Sequence, residues 1–186
     1  MREQIRGALD GAGAGPLRVV SLCAGQGRDV TGVLAEHPRR DEVTARLVEL
    51  DPRNAAVARE LAARHGLDRV EVVVGDAALT DHYAALAPAD LVIACGIFGN
   101  VVDADVERTI EFSTQLCAER GTVVWTRSRR EPDLVPRICD WFAERGFEQV
   151  WVSDPQVPMA VGAHRFTGTP SPLQTGAPPR RTAALR

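Results

Sequence analysis

Gly25 and Gly27, in "VVSLCAGQGRDV", stand one residue apart directly after an apolar run. That pattern marks a buried strand turning into a helix, where backbone N–H groups and a helix N-terminus lie open to a ligand. The third glycine of a dinucleotide fingerprint is missing, and Val30 stands there instead. Gly25, Gln26 and Gly27 therefore offer close approach without specifying what approaches. Glu49, in "LVELDP", follows 22 residues after Gly27, and a carboxylate there can accept both hydroxyls of a ribose. "VVVGDAAL" adds the Asp76 carboxylate and the Ala77 backbone, a pair able to meet a base edge. "ACGIFGN", Cys95 to Asn100, is a small-residue turn. Each group also has a purely structural reading: a tight turn, a strand-end acid, a helix N-cap before Leu79, or a small buried thiol.

Other reactive side chains are spread more widely. Arg127, Arg129 and Arg130 in "WTRSRREPD" present planar guanidinium forks suited to a carboxylate or phosphate. Glu131 and Asp133 beside them fit a solvated, charge-balanced turn equally well. His82 and Tyr83 are candidate general bases, or an exposed His and a partly buried Tyr on a helix. His164 and Arg165 alternate along an extended segment, so at most one faces any given site.

These groups need elements to position them. "LRVVSLC" (17–23), "TARLVEL" (44–50), "RVEVVV" (69–74), "DLVIAC" (90–95) and "GTVVWT" (121–126) read as strands buried on both faces. Residues 52–65 place Val57, Ala58, Leu61 and Ala62 on one helical stripe. Residues 132–145 space Val135, Ile138, Cys139 and Phe142 helically, with Gly146 as the stop and Pro132 and Pro136 near the first turn. "FEQVWVS" (147–153) and "MAVGAHRF" (159–166) are joined too closely for a helix and pair antiparallel. The order gives an α/β doubly wound domain, a mostly parallel sheet with one reversed strand. The candidate groups then fall at C-terminal strand ends, where open α/β sheets bind ligands.

Taken in this order, the glycine turn, the acid ending the second strand, "GDA" after the third and the turn after the fourth resemble the class I S-adenosylmethionine-dependent methyltransferases. The resemblance covers roughly residues 17–166, and the terminal hairpin belongs to it. It implies a seven-stranded sheet with helices on both faces and S-adenosyl-L-methionine as cofactor. It places Gly25, Gln26 and Gly27 at the methionine portion, Glu49 at the ribose hydroxyls and Leu50 on the adenine face. Asp76 would accept from the adenine amino group, the Ala77 N–H would reach a ring nitrogen, and the backbone around Cys95 would receive the cofactor's amino group. Two positions depart from the family pattern: Ser21 replaces an acid, and Cys23 replaces a further glycine. Phe98, Asn100 and Arg127 are the expected substrate-facing residues. No catalytic residue is assigned, because displacement at a sulfonium needs positioning first and a base only for some acceptors.

Length and composition bound the rest. The chain has 186 residues, 45% hydrophobic, with a formal charge of −3, which suits one domain and lacks the basic footprint of a nucleic-acid binder. All 22 basic residues are Arg, a bias that fits a GC-rich genome. Four scattered cysteines make no zinc motif. "MREQIRGALD" lacks an apolar signal core and no run is long enough to span a bilayer, so a cytoplasmic protein without membrane partners is expected. Residues 1–16 form a candidate lid, and 167–186, with four prolines, a flexible tail. With so little chain for enclosure, the N-terminal segment or a second subunit of a homodimer would cover a small acceptor. A small metabolite or natural product is the leading substrate class. A protein or RNA methyltransferase and a non-catalytic cofactor-binding module are the alternatives. A nicotinamide oxidoreductase fits poorly, since no Lys exists to form a Tyr–Lys pair.

Overall fold

The computed structural model describes residues 1–176. Seven strands form one sheet: β1 (Leu17–Leu22), β2 (Val43–Glu49), β3 (Val70–Val74), β4 (Ala89–Ala94), β5 (Cys117–Ser128), β6 (Phe147–Val152) and β7 (Met159–Phe166). Their spatial order is β3-β2-β1-β4-β5-β7-β6. The first five are mutually parallel, and β7 runs antiparallel to both β5 and β6. Helices α1 (Arg2–Asp10), α2 (Arg28–Glu36) and α3 (Pro52–Arg64) cover one face, and α4 (Asp103–Leu116) and α5 (Val135–Glu144) the other.

This two-sided cover explains the continuous apolar runs. In β4, Leu91 and Ile93 pack into the α1–α3 layer, while Val92 and Ala94 pack into the α4–α5 layer. The alternation is the period-2 geometry of a strand with both faces buried. In the second layer Trp125 is fully buried between Phe98, at 5.9 Å between ring centroids, and Phe142, at 6.3 Å. Burying a side chain of this kind contributes about 1.5–3 kcal/mol.

Two expectations need correction. First, β3 is not buried on both faces: only Val72 is, because β3 is the sheet edge and no α-helix follows it. A 3₁₀ turn, Thr80–Tyr83, leads to β4 instead. Second, β5 begins at Cys117, directly after α4, and is longer than the apolar run 121–126. Residues 167–176, the described part of the expected tail, make specific contacts. The Ser171 N–H donates to Thr114 O at 3.2 Å, the Gln174 N–H to the Gln115 side chain at 3.0 Å, and the Gly176 N–H to Asp81 at 3.1 Å. Leu173 packs on the core cluster that contains Tyr83, so this segment covers part of the face that lacks a helix. Residues 177–186 of the expected tail lie outside the described residues.

At two helix starts a carboxylate accepts a backbone N–H. Asp51 accepts the Arg53 N–H before Pro52 opens α3. The helix expected from residue 132 starts at Val135, where the Asp133 carboxylate accepts the Val135 N–H at 2.9 Å.

Candidate functional site

The strand order sets the C-terminal ends of β3, β2, β1 and β4 side by side. Backbone bonds stitch the turns beyond them: the Ala24 N–H donates to Val48 O at 2.9 Å, and the Gly75 N–H to Glu49 O at 3.0 Å. After β1 the chain takes positive φ at Cys23 (51°), Gly25 (57°) and Gly27 (64°). At Gly27 an added Cβ would lie 2.8 Å from the Leu47 side chain, so glycine lets α2 start hard against β2. At Gly25 an added Cβ would meet nothing within 4 Å. One of these glycines serves packing and the other leaves an open surface. Cys23 holds a left-handed conformation that disfavours a residue with a Cβ by about 1–2 kcal/mol, a local strain at the centre of the turn.

Glu49 is 8% exposed. One carboxylate oxygen accepts the Gly25 N–H at 2.7 Å and the other accepts the Asp51 N–H at 2.9 Å. A carboxylate has about four lone-pair sites, so each oxygen keeps acceptor capacity. The Cys23 thiol is pushed up to about 11, first by burial and then by the Glu49 and Asp76 carboxylates. It is neutral at pH 7 and unsuited to nucleophilic work. That electrostatic coupling also marks Cys23, Glu49 and Asp76 as one group.

Asp76 is exposed, and one oxygen accepts the Ala78 N–H at 2.9 Å, closing a local turn. The Ala77 carbonyl accepts the Tyr83 hydroxyl at 2.9 Å. No hydrogen bond among the described residues uses the Ala77 N–H. Tyr83 is fully buried and its hydroxyl is held far above its ordinary pKa by desolvation, so it is a packing residue and not a base. The His82 ring lies on Gly75, where an added Cβ would clash with Nε2. Leu50 is 52% exposed, and Val74 and Leu79 are further large apolar side chains left open.

A narrow cleft beside this turn is lined by Met1, Ser21, Gly27, Asp29, Ile93 and Cys95 among others. The Cys95 sulfur lies 3.5 Å from Met1 Sδ and 3.8 Å from Val124 O, and burial pushes its thiol up to about 12. Met1 and Asp29 were not singled out by sequence. Asp29 had a signal, since it stands in the first turn after Gly27; the return of Met1 is a tertiary contact with no local trace.

The expected acceptor residues are placed differently. Phe98 is fully buried against Trp125, so its ring faces the core and no ligand. Asn100 is exposed and its side-chain amide donates to Gly96 O, bracing the turn. Arg127 donates to Phe98 O and lies 3.9 Å from Asp103, which ties β5 to the turn after β4. Arg129 donates to Asp133 at 2.8 Å and to Ser153 O at 3.1 Å. These two guanidiniums bind the protein itself, and Arg130 is the exposed one. His164 is buried mid-sheet, paired in register with Val123, and stacked on Phe142, away from the strand ends. A separate groove at Arg40, Gly66 and Arg69 belongs to the opposite sheet end, and both guanidiniums bond backbone carbonyls there. Among the described residues no His, Cys, Asp and Glu cluster could hold a metal ion. No described helix is long and apolar enough to cross a membrane.

Comparison with known proteins agrees with this arrangement. A family model described as "Putative methyltransferase" matches residues 3–152. The chain belongs to this methyltransferase family. Among solved structures, the methyltransferase is similar to an O-methyltransferase family protein from Burkholderia thailandensis, at 17% identity and a TM-score of 0.68, covering 89% of this chain and 56% of that one. It is similar to an rRNA methylase from Streptococcus thermophilus at 15% identity and a TM-score of 0.67, covering 88% and 95%. It is also similar to the S-adenosylmethionine-dependent methyltransferase SibL, at 18% identity and a TM-score of 0.61, covering 81% and 50%. The methyltransferase thus spans about half the length of the first and third of these and nearly all of the second. A search of curated proteins finds no match. At these identities the structures establish the fold, a Rossmann-like methyltransferase sheet.

Proposed function

We propose that this methyltransferase uses S-adenosyl-L-methionine and acts on a small metabolite or natural product. One observation carries the cofactor reading. The adjacent ends of β3, β2 and β1 carry, in that order, the Asp76–Ala77 pair, the Glu49 carboxylate and the Gly25–Gly27 turn. A base edge, a ribose and a sulfur-bearing chain occur in this order along the cofactor, so one molecule laid across the three strands meets all of them.

The groups present fit it. Gly25 leaves open space where a side chain would stand, and Glu49 keeps free lone pairs for ribose hydroxyls. The unused Ala77 N–H and the second Asp76 oxygen match the donor and acceptor pattern of an adenine edge, and exposed Leu50 offers an apolar face. Gln26 completes the turn, and the backbone at Cys95 borders the far end of the cleft. When bound, the cofactor supplies a sulfonium methyl group that needs no further activation. The protein's own part is to hold the reactants in line, exclude water and leave the acceptor atom unprotonated. Buried neutral Cys23 and Cys95, with fully buried Tyr83, supply walls and no base.

The acceptor reading rests on charge. The chain carries a net −3, and Arg127 and Arg129 are engaged internally, so the cleft mouth has no built anion site from these residues. The anionic acceptor considered for them loses its anchors, and a neutral or cationic small molecule fits better. A second reading, an RNA substrate, draws on the rRNA methylase whose whole length this chain nearly spans. The N-terminal segment is the proposed cover for the methionine end, since Met1 already borders it, and the site is proposed to function in the cytoplasm. The test is to supply the protein and cofactor with a low-molecular-weight metabolite fraction, deproteinised RNA or total protein, and follow S-adenosylhomocysteine release. Turnover with the small-molecule fraction is expected. Turnover only with RNA or protein would overturn the acceptor reading.

A further inference from the structure

The amino-acid end of S-adenosylmethionine carries an ammonium group with three N–H donors, enough to bond a carboxylate as well as the backbone around Cys95. Among the residues lining the cleft beside the glycine turn, Asp29 is the one carboxylate, and Ser21, the lining residue from β1, is neutral. Asp29 is held in place from below. Gly27, with no room for a Cβ against Leu47 and Ala58, fixes the start of α2, and Asp29 occupies the first turn of that helix. Its side chain is 52% exposed, and its one ion-pair partner among the described residues is Arg2, whose Nε lies 3.4 Å from Oδ1 while another nitrogen donates to Arg28 O at 3.0 Å. Such a long, exposed pair holds Asp29 weakly.

A second, independent feature is the sulfur chemistry of this cleft. The Met1 thioether lies 3.5 Å from the Cys95 sulfur. Burial raises the pKa of that same Cys95 thiol and the Asp29 carboxylate raises it further, so thioether, thiol and carboxylate share one cleft. Met1 thus brings a thioether to the cleft, the sulfur chemistry that the cofactor carries beside its amino-acid end. We propose that Asp29 is the carboxylate that receives the ammonium of the cofactor's amino-acid end. The assignment rests on the cofactor reading above.

The test compares two ligands by titration calorimetry. S-adenosylhomocysteine carries the amino-acid end; 5′-methylthioadenosine has the adenosine and the sulfur but lacks it. Asp29→Asn is expected to weaken S-adenosylhomocysteine about tenfold or more, as for loss of one charge-assisted contact, and to leave 5′-methylthioadenosine unchanged. The unchanged ligand doubles as the check on folding. Arg2→Ala, which removes the present partner of Asp29, is expected to keep or tighten S-adenosylhomocysteine binding. Equal loss of both ligands in Asp29→Asn, no loss of either, or the same loss in Arg2→Ala would each overturn the assignment. If the parent protein binds neither ligand, the cofactor reading itself falls, a result distinct from failure at Asp29 alone.

Discussion

The Glu49 carboxylate bridges two backbone N–H groups, Gly25 at 2.7 Å across the sheet and Asp51 at 2.9 Å along its own chain. It therefore shapes the glycine turn and the entry to α3 before any ligand arrives. From sequence alone, Glu49→Ala is expected to leave folding nearly untouched. The bridge changes that expectation. Truncation orphans two N–H groups in a largely buried place, and stability should fall by about 2 kcal/mol, along with at least a tenfold loss of cofactor affinity. Denaturant unfolding and calorimetry measure the two effects. Lost affinity with unchanged stability would contradict the bridge.

The two turn glycines should separate under substitution. Gly27→Ala forces a Cβ to 2.8 Å from Leu47 and 3.2 Å from Ala58 at φ +64°, so it should destabilise by about 2–4 kcal/mol. Gly25→Ala meets no atom and should destabilise by only about 1–2 kcal/mol through its backbone conformation, while weakening the cofactor more than Gly27→Ala does per unit of stability lost. Thermal melting with ligand titration distinguishes them; equal melting losses would contradict the division of roles.

Arg129 is a structural residue in this account. Its pair with Asp133 sets the start of α5, because the same carboxylate caps Val135, and these contacts hold the Asp133 carboxyl below the usual range. The Arg129 side chain is 9% exposed. Arg129→Ala should destabilise the fold by about 2–3 kcal/mol and leave cofactor affinity intact. A variant of parental stability with impaired acceptor use would restore Arg129 as a substrate anchor.

The strands, the terminal hairpin and the strand-end positions of Gly25, Gly27, Glu49 and Asp76 were legible because local pattern dictates them: apolar runs of strand length, and turn residues at their ends. The roles of Phe98, Arg127 and Arg129 were not legible. Whether a ring after β4 faces a cleft or Trp125 depends on packing from a strand 27 positions later in the chain. Whether a guanidinium is free depends on carbonyls such as Ser153 O that only the fold brings near. The missing helix after β3 had a weak sign in the mixed residues 78–88, and its partial replacement by residues 167–176 had none.

His164 gives the fold a pH dependence. It is buried, its Nδ1 accepts the Trp125 indole N–H at 3.0 Å, and its Nε2 has no partner among the described residues. Burial lowers its pKa from 6.5 to about 4. Above pH 6.5 folded and unfolded chains both keep it neutral, and its full contribution is present. As pH falls from 6.5 to 4 the unfolded chain takes up a proton that the folded chain refuses, removing about 3 kcal/mol of stability. Denaturant unfolding at pH 7 and pH 4.5 should show the loss, and His164→Phe should flatten it. Equal pH dependence in parent and variant would contradict this assignment.

The central claim is that the ends of β1, β2 and β3 hold S-adenosylmethionine. Titration calorimetry of the intact protein with S-adenosylmethionine, S-adenosylhomocysteine and NAD tests it most directly. Saturable binding of the first two at one site per chain, and no comparable binding of NAD, is the expected result. Saturable binding of NAD with none of the sulfur-bearing ligands would contradict it.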